Sequence, residues 1–432
     1  MKYYSLNKQS PAVDFKEATI KGQAPDKGLY FPEYIPAIDK DLIDQIDIYS
    51  NAEIAFKIIS PYVGDSIPAE ELKKICSETV DFDIPLVKVN DNIFSLELFH
   101  GPTLAFKDVG ARFMSRCLGF FAKEKAEKVV VLVATSGDTG GAVANGFYNV
   151  DGVEVVILYP SGKVSSVQEK QLTTLGNNIH ALEVEGNFDD CQRMVKDVFA
   201  DEALNKKIFL TSANSINVAR WLPQQFYYFF AWKQWKDKND SPIISVPSGN
   251  FGNICAGLLA YQSGLPVKHF IAACNANDVV PEYFKTGDYN PKKAVATISN
   301  AMDVGDPSNF VRILEMFKDN IGELKTIVSS YSVTDEDTKT VIKSIFEKEE
   351  YLLDPHGAVA WIALNKYLDL HKNSKGIFLE TAHPVKFYDV VEPVIQQAVP
   401  IPESVQLQLN KEKRSTKIVA DSNLVKEFLK RL

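Results

Sequence analysis

The hydrophobic positions of the chain from about residue 128 onward form short apolar runs separated by amphipathic stretches. The run Lys128–Ala134 is apolar after its first residue, which is typical of a buried parallel strand, and a glycine-rich turn and a helical pattern over Ala142–Tyr148 follow it. The amphipathic stretches Phe188–Phe199 and Gly357–Leu370 predict further helices. Other apolar runs predict strands at Val153–Tyr159, Asn178–Val184, Lys207–Thr211, Pro242–Val246, Val267–Ala273 and Gly376–Thr381. Because strands and helices alternate, we expect an α/β fold with two open, mostly parallel, twisted sheets and helices on both faces.

The first ninety residues follow a different pattern. They carry proline and glycine punctuation between Pro25 and Pro36 and then charge-rich helical stretches such as Ala69–Cys76, without a strand, glycine turn and helix in succession. We therefore expect an N-terminal accessory domain over residues 1–90, one α/β domain over 91–225 and a second over 226–432. The mixed-charge tail from Lys411 predicts solvated surface.

Composition narrows the class of protein. Of the 432 residues 45% are hydrophobic and 24% charged, and the formal net charge of -9 comes without a dense basic tract, which disfavours nucleic acid as a partner. No apolar signal-peptide core and no membrane-spanning stretch is present, so a cytoplasmic location is expected. The five cysteines are widely spaced and lack a Cys-x-x-Cys pair, which predicts reduced core residues rather than disulfides or a metal site.

Lys107 lies in the stretch Leu98–Met114, which we expect to carry chemistry. A helix that begins after Pro102 would place Lys107 beside small and apolar residues, where the ammonium form is disfavoured and the free amine can attack a carbonyl. Asp108 is expected to form an ordinary exposed ion pair with Arg112, four residues later. From this stretch alone, a surface lysine at a helix start remains an open alternative.

Two strand-to-helix turns are rich in glycine and in hydroxyl or amide side chains, namely Thr135–Gly141 and Pro247–Asn253. Each offers backbone N–H groups at the carboxyl end of a strand, where open α/β sheets bind ligands and glycine lets an anion approach. Neither fits the Walker or the dinucleotide pattern, so a smaller phosphate or carboxylate ligand is favoured over a nucleotide. Either turn alone could be a tight structural connection.

A third cluster, Asn214–Arg220, offers a hydroxyl, an amide and a guanidinium, and the planar fork of Arg220 suits a phosphate. The alternative is a helix cap at Asn214 or Ser215 followed by a solvated arginine. His356 and His383 stand beside prolines at element junctions, where structural histidines are common, and no metal-ligand set is evident.

Together these motifs resemble the threonine synthase family, pyridoxal-phosphate enzymes of fold type II with a tryptophan-synthase-β-like fold. The resemblance covers nearly the whole chain, and its specific parts are Phe99–Asp108 and Ser248–Asn253. It implies that Lys107 is the Schiff-base lysine and general base, that Ser136–Gly140 holds the substrate carboxylate and that Thr381 faces the pyridine nitrogen. The accessory, lysine-bearing and cofactor-phosphate domains would then be residues 1–90, 91–225 and 226–432.

The resemblance also assigns individual residues. For the cofactor they are Lys107, Asp138, Gly249, Asn250, Phe251, Gly252, Asn253 and Thr381. For the substrate they are Ser136, Thr139, Ser215, Asn217 and Arg220. At Asp138 the sequence departs from many relatives of this fold type, which carry an asparagine that bonds the phenolic oxygen of the cofactor.

The function implied is that of a lyase in threonine biosynthesis, which converts O-phospho-L-homoserine and water to L-threonine and phosphate with pyridoxal phosphate and without a metal. A monomer is expected rather than a dimer. Two alternatives stay open. A serine/threonine dehydratase or β-replacing synthase would turn over unphosphorylated amino acids without needing Arg220, and a non-catalytic relative would only bind a phosphorylated amino acid.

Overall fold

The computed structural model of the chain describes residues 1–123 and 129–432 as an α/β protein. Its strands are β1 (Tyr3–Ser5), β2 (Tyr30–Pro32), β3 (Leu86–Lys88), β4 (Ile93–Glu97), β5 (Val129–Ala134), β6 (Val153–Pro160), β7 (Ile179–Glu185), β8 (Phe209–Thr211), β9 (Ile243–Pro247), β10 (His269–Cys274), β11 (Val328–Ser332), β12 (Gly376–Glu380) and β13 (Thr416–Val419).

The α-helices stand between and around these strands. They are α1 (Phe15–Lys21), α2 (Lys40–Asp44), α3 (Asn51–Val63), α4 (Ala69–Thr79), α5 (Lys107–Ala122), α6 (Asp138–Phe147), α7 (Ser166–Thr173), α8 (Phe188–Phe199), α9 (Glu202–Asn205), α10 (Val218–Trp221), α11 (Phe226–Gln234), α12 (Gly252–Gln262), α13 (Val279–Thr286), α14 (Phe310–Met316), α15 (Ile321–Ile327), α16 (Asp335–Glu349), α17 (Pro355–Leu370), α18 (Tyr388–Ile395), α19 (Glu403–Leu409) and α20 (Ser422–Leu429). In the described residues no helix combines the length and the apolar character needed to cross a bilayer.

Two mostly parallel sheets form the body of the protein. The larger has the order β11-β10-β9-β12-β4-β3, with only β3 antiparallel to its neighbour, and the smaller has the all-parallel order β13-β7-β6-β5-β8. Strands β5, β9, β10 and β12 are buried along their whole length, because helices cover both faces of each sheet. The predicted α/β fold with two open sheets is confirmed.

The apolar runs located most strands to within two residues, as for the run at 153–159 and strand β6. The predicted first residue of β5, Lys128, lies outside the described residues. Six strands were not predicted, because they are short or only partly buried and their apolar runs are weak; they are β1, β2, β3, β4, β11 and β13.

Sheet membership does not follow the contiguous division at residues 91 and 226. Strand β4 crosses into the larger sheet beside β12, and β13 from the C-terminal tail joins the smaller sheet beside β7. The tail from Lys411 is therefore more than solvated surface, and Lys413 joins Glu169 and Glu183 in ion pairs of 2.6 Å. Register and sheet order depend on partners remote in sequence, which local patterns do not specify.

The accessory segment packs against the lysine-bearing helix and the 212–221 region. Tyr3 donates a hydrogen bond to the carbonyl of Tyr62 within the segment, and α1 packs on α5 and α10. The carbonyls of Thr19 and Tyr30 accept hydrogen bonds from Asn217 and Arg312 of the body. The segment thus forms one wall beside the candidate site.

The motifs found in the sequence meet because they all follow the carboxyl ends of parallel strands. Strand β4 leads to Lys107, β5 to the turn at 135–141, β8 to the cluster at 214–220, β9 to the turn at 248–253 and β12 to Thr381. In open α/β sheets, this edge is where ligands bind. All five cysteines are free and buried, as expected.

Candidate active site

The segment that carries Lys107 is held by the chain that follows β12. Phe106 N–H donates to the carbonyl of Thr381 at 2.9 Å, and His383 N–H donates to the carbonyl of Leu104 at 3.0 Å. Helix α5 begins at Lys107 itself, not just after Pro102 as the sequence suggested. The lysine is therefore fixed between two backbone contacts and the first turn of a helix, with Thr381 beside it.

Asp108 is not in the exposed ion pair expected for it. Its carboxylate is buried and accepts hydrogen bonds from the Thr103 N–H at 2.9 Å and the Thr103 hydroxyl at 2.5 Å. Arg112 instead donates to the carbonyl of Glu78 and to Asp81. The i,i+4 spacing wrongly predicted a pair between Asp108 and Arg112. The carboxylate of Asp108 instead accepts hydrogen bonds from the turn that precedes its own helix, and residue spacing does not reveal this.

The ammonium form of Lys107 is disfavoured. Burial is the main cause and lowers the pKa of this lysine, and the positive charges of Lys386 and Arg220 act in the same direction, while the carboxylate of Asp138 opposes them. Its Nζ makes no hydrogen bond to another described residue. The burial therefore favours the free amine of Lys107 more than an exposed position would.

Asp138 and Lys386 form a buried ion pair. Lys386 Nζ lies 2.7 Å from Asp138 Oδ1, and the Gln168 amide donates to the same oxygen at 2.9 Å. Burial alone would raise the pKa of Asp138, but the ammonium groups of Lys386 and Lys107 hold it well below its usual range. Asp138 therefore stays ionised next to Lys107.

The turn at 248–253 packs closely against neighbouring backbone. A Cβ on Gly249 would lie 2.6 Å from the Cα of Met302, so only glycine fits there. Phe251 has a φ of 59°, a left-handed conformation that is unusual for an aromatic residue and marks strain at a functional turn. The Nδ2 of Asn253 is buried without a hydrogen-bond partner in the described chain, while its Oδ1 accepts from Tyr228. A buried donor left unpaired points to an anionic ligand.

Arg220 packs over the first turn of α5. A Cβ on Gly110 would lie 2.7 Å from the carbonyl oxygen of Arg220 and 3.4 Å from its Nε. The guanidinium is buried, and neither Nε nor Nη1 has a hydrogen-bond partner among residues 1–123 and 129–432. Burial lowers its pKa to about 10, so it remains charged at neutral pH. A desolvated cation with two unused donors is a strong anion-binding element.

Ser215 lies against the turn at 248–253. Its Oγ accepts hydrogen bonds from the amides of Asn250 and Asn309 at 2.9 Å and 3.0 Å. Two donors occupy the lone pairs of the oxygen, which leaves the hydroxyl hydrogen to be donated. Asn250 is further held because its Oδ1 accepts from the Ser308 N–H. Ser215 can therefore offer a hydrogen bond to an anion.

Asn217 has a different place in the structure. Its amide nitrogen donates to the carbonyls of Thr19 and Ser212, and its oxygen accepts from the Ala219 N–H as the cap of α10. The side chain is buried and fully engaged with backbone. It can act on a ligand only by positioning α10, on which Arg220 stands.

The turn after β5 presents the hydroxyls of Ser136 and Thr139. Both residues are partly exposed and make no side-chain hydrogen bond to another described residue. The Thr135 hydroxyl accepts from the N–H groups of Gly137 and Gly140 and thereby shapes the turn. The two hydroxyls and the first turn of α6 can together receive a carboxylate.

A buried acid cluster lies beneath Thr381. Asp354 Oδ1 accepts from the His356 Nδ1 at 2.5 Å, and the Ala301 N–H donates to His356 Nε2 at 3.2 Å. Glu380 is fully buried and accepts from the Asp354 N–H at 2.6 Å. Burial, followed by the charge of Asp354, raises the pKa of Glu380 well above its usual value. His356 and His383 are both satisfied within the fold, as expected.

We expect Glu380→Gln to be tolerated and to flatten the pH dependence of stability. Because the raised pKa lies in the folded state, folding takes up a proton above the unfolded pKa of about 4.3, so stability falls as pH rises beyond it. Glutamine stays neutral and keeps a donor and an acceptor. Its free energy of unfolding at pH 8 should equal or exceed that of the wild type, measured by urea unfolding at about pH 5 and pH 8.

The matched control is Glu380→Ala, which removes the acceptor of the Asp354 N–H and leaves a cavity. We expect it to lose about 2–4 kcal/mol at both pH values. If the wild type and Glu380→Gln had the same slope of stability against pH, Glu380 would be ionised in the fold.

Sequence reasoning missed several residues that shape the site. They are Lys386, Gln168, Arg312, Tyr227, Asn309 and the Asp354–Glu380 pair. Arg312 is fully buried and donates to the carbonyls of Ser215, Ile216 and Tyr30, so it holds the 215–216 backbone. One signal was present for Lys386, because an aspartate in a glycine-rich turn, such as Asp138, needs a cation when it is buried.

Comparison with protein families agrees with this geometry. A family model described as pyridoxal-phosphate dependent enzyme matches residues 83–379. A model for the threonine synthase N terminus matches residues 2–80, and one for the threonine synthase C-terminal part matches residues 357–429. The N-terminal match falls within the expected accessory segment.

Individual relatives are similar over their full length. The chain is 43% identical over 430 residues to a threonine synthase of Serratia marcescens, covering 99% of both chains. The crystal structure of threonine synthase from Escherichia coli is 41% identical with a TM-score of 0.92 and complete coverage of both chains. A threonine synthase of Brucella melitensis with bound pyridoxal phosphate is 33% identical, with a TM-score of 0.95 and coverage of 100% of this chain and 99% of that one.

Proposed function

Because the chain belongs to the threonine synthase family of pyridoxal-phosphate-dependent enzymes, we propose that the residues around Lys107 convert O-phospho-L-homoserine and water to L-threonine and phosphate. Its activity is that of a threonine synthase, a lyase of amino-acid biosynthesis that uses pyridoxal phosphate. The observation that carries the residue assignment is Arg220. Its buried guanidinium has unused donors beside the first turn of the helix that Lys107 begins.

The residues present fit pyridoxal phosphate. The unpartnered Nδ2 of Asn253 and the N–H groups of the turn from Gly249 to Gly252 would hold its phosphate, in a turn whose glycines a Cβ would block. Lys107 would hold it covalently through Nζ, and Thr381, which lies next to the lysine segment, would face its pyridine nitrogen. When bound, the cofactor supplies an electron sink for the substrate carbons.

The protein's own part is to bind, orient and move protons. Ser136 and Thr139 receive the substrate carboxylate, which places the substrate carbons beside Lys107. The Nζ of Lys107, with its lowered pKa, takes a proton from carbon and returns it later in the cycle. The hydroxyl of Thr381 would hold the pyridine nitrogen less strongly protonated than a carboxylate at the same place would.

The leaving phosphate would bind next to Arg220 and Ser215. Arg220 Nε and Nη1 and the Ser215 hydroxyl are the donors for it, and Asn217 keeps α10 in position through its backbone contacts. These donors are desolvated, so each hydrogen bond to a dianion is stronger than at an exposed surface. The accessory segment borders the same side through Thr19 and Tyr30.

We also propose a cytoplasmic monomer that acts on a small molecule and uses neither nucleic acid nor membrane as a partner. The net charge of -9 and the five free, buried cysteines support this interpretation.

The direct experiment measures phosphate release and threonine formation from O-phospho-L-homoserine, with L-homoserine and L-threonine as comparison substrates. We expect equal amounts of phosphate and threonine from the phosphorylated substrate and no turnover of L-homoserine. Turnover of L-threonine to a keto acid without phosphate release would instead identify a dehydratase. Binding of O-phospho-L-homoserine without any turnover would identify a sensor.

A further inference from the structure

Lys386 has one N–H group that the protein does not use. Its ammonium is completely buried and donates to Asp138 Oδ1 at 2.7 Å and to the carbonyl of Thr103 at 2.8 Å. A lysine ammonium carries three N–H donors. No other described residue accepts from it, so one donor of a buried cation remains for a ligand.

The position of Lys386 is fixed next to the cofactor lysine. His383 caps the turn Pro384–Phe387 by accepting from the Val385 N–H, and its own N–H donates to Leu104. Lys386 then reaches the carbonyl of Thr103, four residues before Lys107. Both lysines lie close enough to Asp138 to act on its charge. The ammonium of Lys386 and the amine of Lys107 therefore both lie beside Asp138.

Asp138 cannot hold the phenolic oxygen of the cofactor by itself. An ionised carboxylate has no hydrogen to donate and would repel the phenolic oxygen of the cofactor. Its Oδ1 is already taken by Lys386 and by the Gln168 amide. A donor for the phenolic oxygen has to come from elsewhere, and the carboxylate–ammonium pair is neutral in sum, as an amide is.

We propose that Lys386 donates its third N–H to the phenolic oxygen of bound pyridoxal phosphate, and that Asp138 is the residue that positions it. This inference rests on the proposed attachment of the cofactor at Lys107. It makes the Asp138–Lys386 pair a two-residue substitute for one asparagine amide.

The test compares the affinity of the cofactor-free protein for pyridoxal phosphate and for the analogue with hydrogen in place of the phenolic hydroxyl. The wild type should prefer pyridoxal phosphate, and Lys386→Met should reduce that preference by about tenfold or more, as expected for a charged hydrogen bond. The matched control is Lys233→Met, a lysine that donates to the Tyr49 carbonyl in the accessory region. It should keep the preference. An unchanged preference in Lys386→Met would overturn the proposal.

Lys386→Met leaves Asp138 buried and unpaired, so two double variants guard against a folding defect. Asp138→Asn/Lys386→Met restores a neutral amide donor and should recover the preference. Asp138→Ala/Lys386→Met has no donor and should not recover it. If both double variants kept the preference, Lys386 would not be the donor.

The outcome is separable from that of the proposed function. If Lys107→Ala retained covalently attached cofactor, the attachment site itself would be wrong. If Lys107→Ala lost the attachment while Lys386→Met kept the preference, only the assignment of Lys386 would fail.

Discussion

Lys107→Ala is expected to lower turnover of O-phospho-L-homoserine by about a thousandfold or more. The variant removes the amine that both attaches the cofactor and moves protons, and general acid–base catalysis alone contributes about a hundred- to ten-thousandfold. The side chain makes no hydrogen bond to another described residue and is only partly buried, so the fold should persist. Initial rates and borohydride trapping of the cofactor on the chain, analysed by mass spectrometry, check both losses.

Lys123→Ala is the matched control for this prediction. Lys123 is exposed at the far end of the same helix α5, so its removal should change neither turnover nor trapping. An added primary amine should restore part of the activity of Lys107→Ala, because it can replace a missing proton carrier but not a structural contact. Turnover within tenfold of the wild type in Lys107→Ala would rule out its catalytic role.

Arg220→Leu is expected to lower kcat/KM for O-phospho-L-homoserine by about a hundredfold or more and to leave stability within about 1 kcal/mol. Two hydrogen bonds from a buried cation to a phosphate are lost, each contributing about 1.5–3 kcal/mol. Without substrate, the substitution removes no hydrogen bond made by Nε or Nη1, since neither atom has a partner in the described chain. Steady-state kinetics and urea unfolding without ligand measure the two effects.

Arg312→Leu provides the contrast. Arg312 is also a fully buried arginine, but its guanidinium donates hydrogen bonds within the protein. It donates to Ser215, Ile216 and Tyr30 carbonyls and to Asn309, so its removal should cost about 2–4 kcal/mol of unfolding free energy. Inorganic phosphate should stabilise the wild type against urea and fail to stabilise Arg220→Leu. An Arg220→Leu protein as destabilised as Arg312→Leu would mean that Arg220 is structural.

Spacing along the chain was a reliable guide where the deciding contacts are local. The Lys107 segment, the two glycine-rich turns and the cluster with Ser215 and Arg220 each follow a strand, and the structure brings them to one edge of the sheets. The same reasoning failed for Asp108. Either Thr103 or the i,i+4 neighbour Arg112 could pair with Asp108. The path of the chain before the helix brings Thr103 within hydrogen-bond distance, and the sequence does not specify that path.

Asn217 shows a second kind of limit. A sequence motif marks which residues cluster, but it does not distinguish the side chain that contacts a ligand from one that holds the backbone. The hydrogen bonds of Asn217 to Thr19 and Ser212 depend on where the accessory segment packs. That packing is decided by the burial of side chains such as Phe15 and Trp221, contributed by distant parts of the chain.

By itself the sequence determined the α/β class and most of the strands, and it predicted a reactive lysine and two anion-binding turns. These features arise from apolar periodicity, from glycine and from residue type, which act within a few residues. Only the tertiary structure decided the sheet partners of β4 and β13, the raised pKa of Glu380 and the pairing of Asp138 with Lys386. Each of these depends on charges and backbone brought together from remote segments, and the free energy of such contacts comes from burial, which no local pattern encodes.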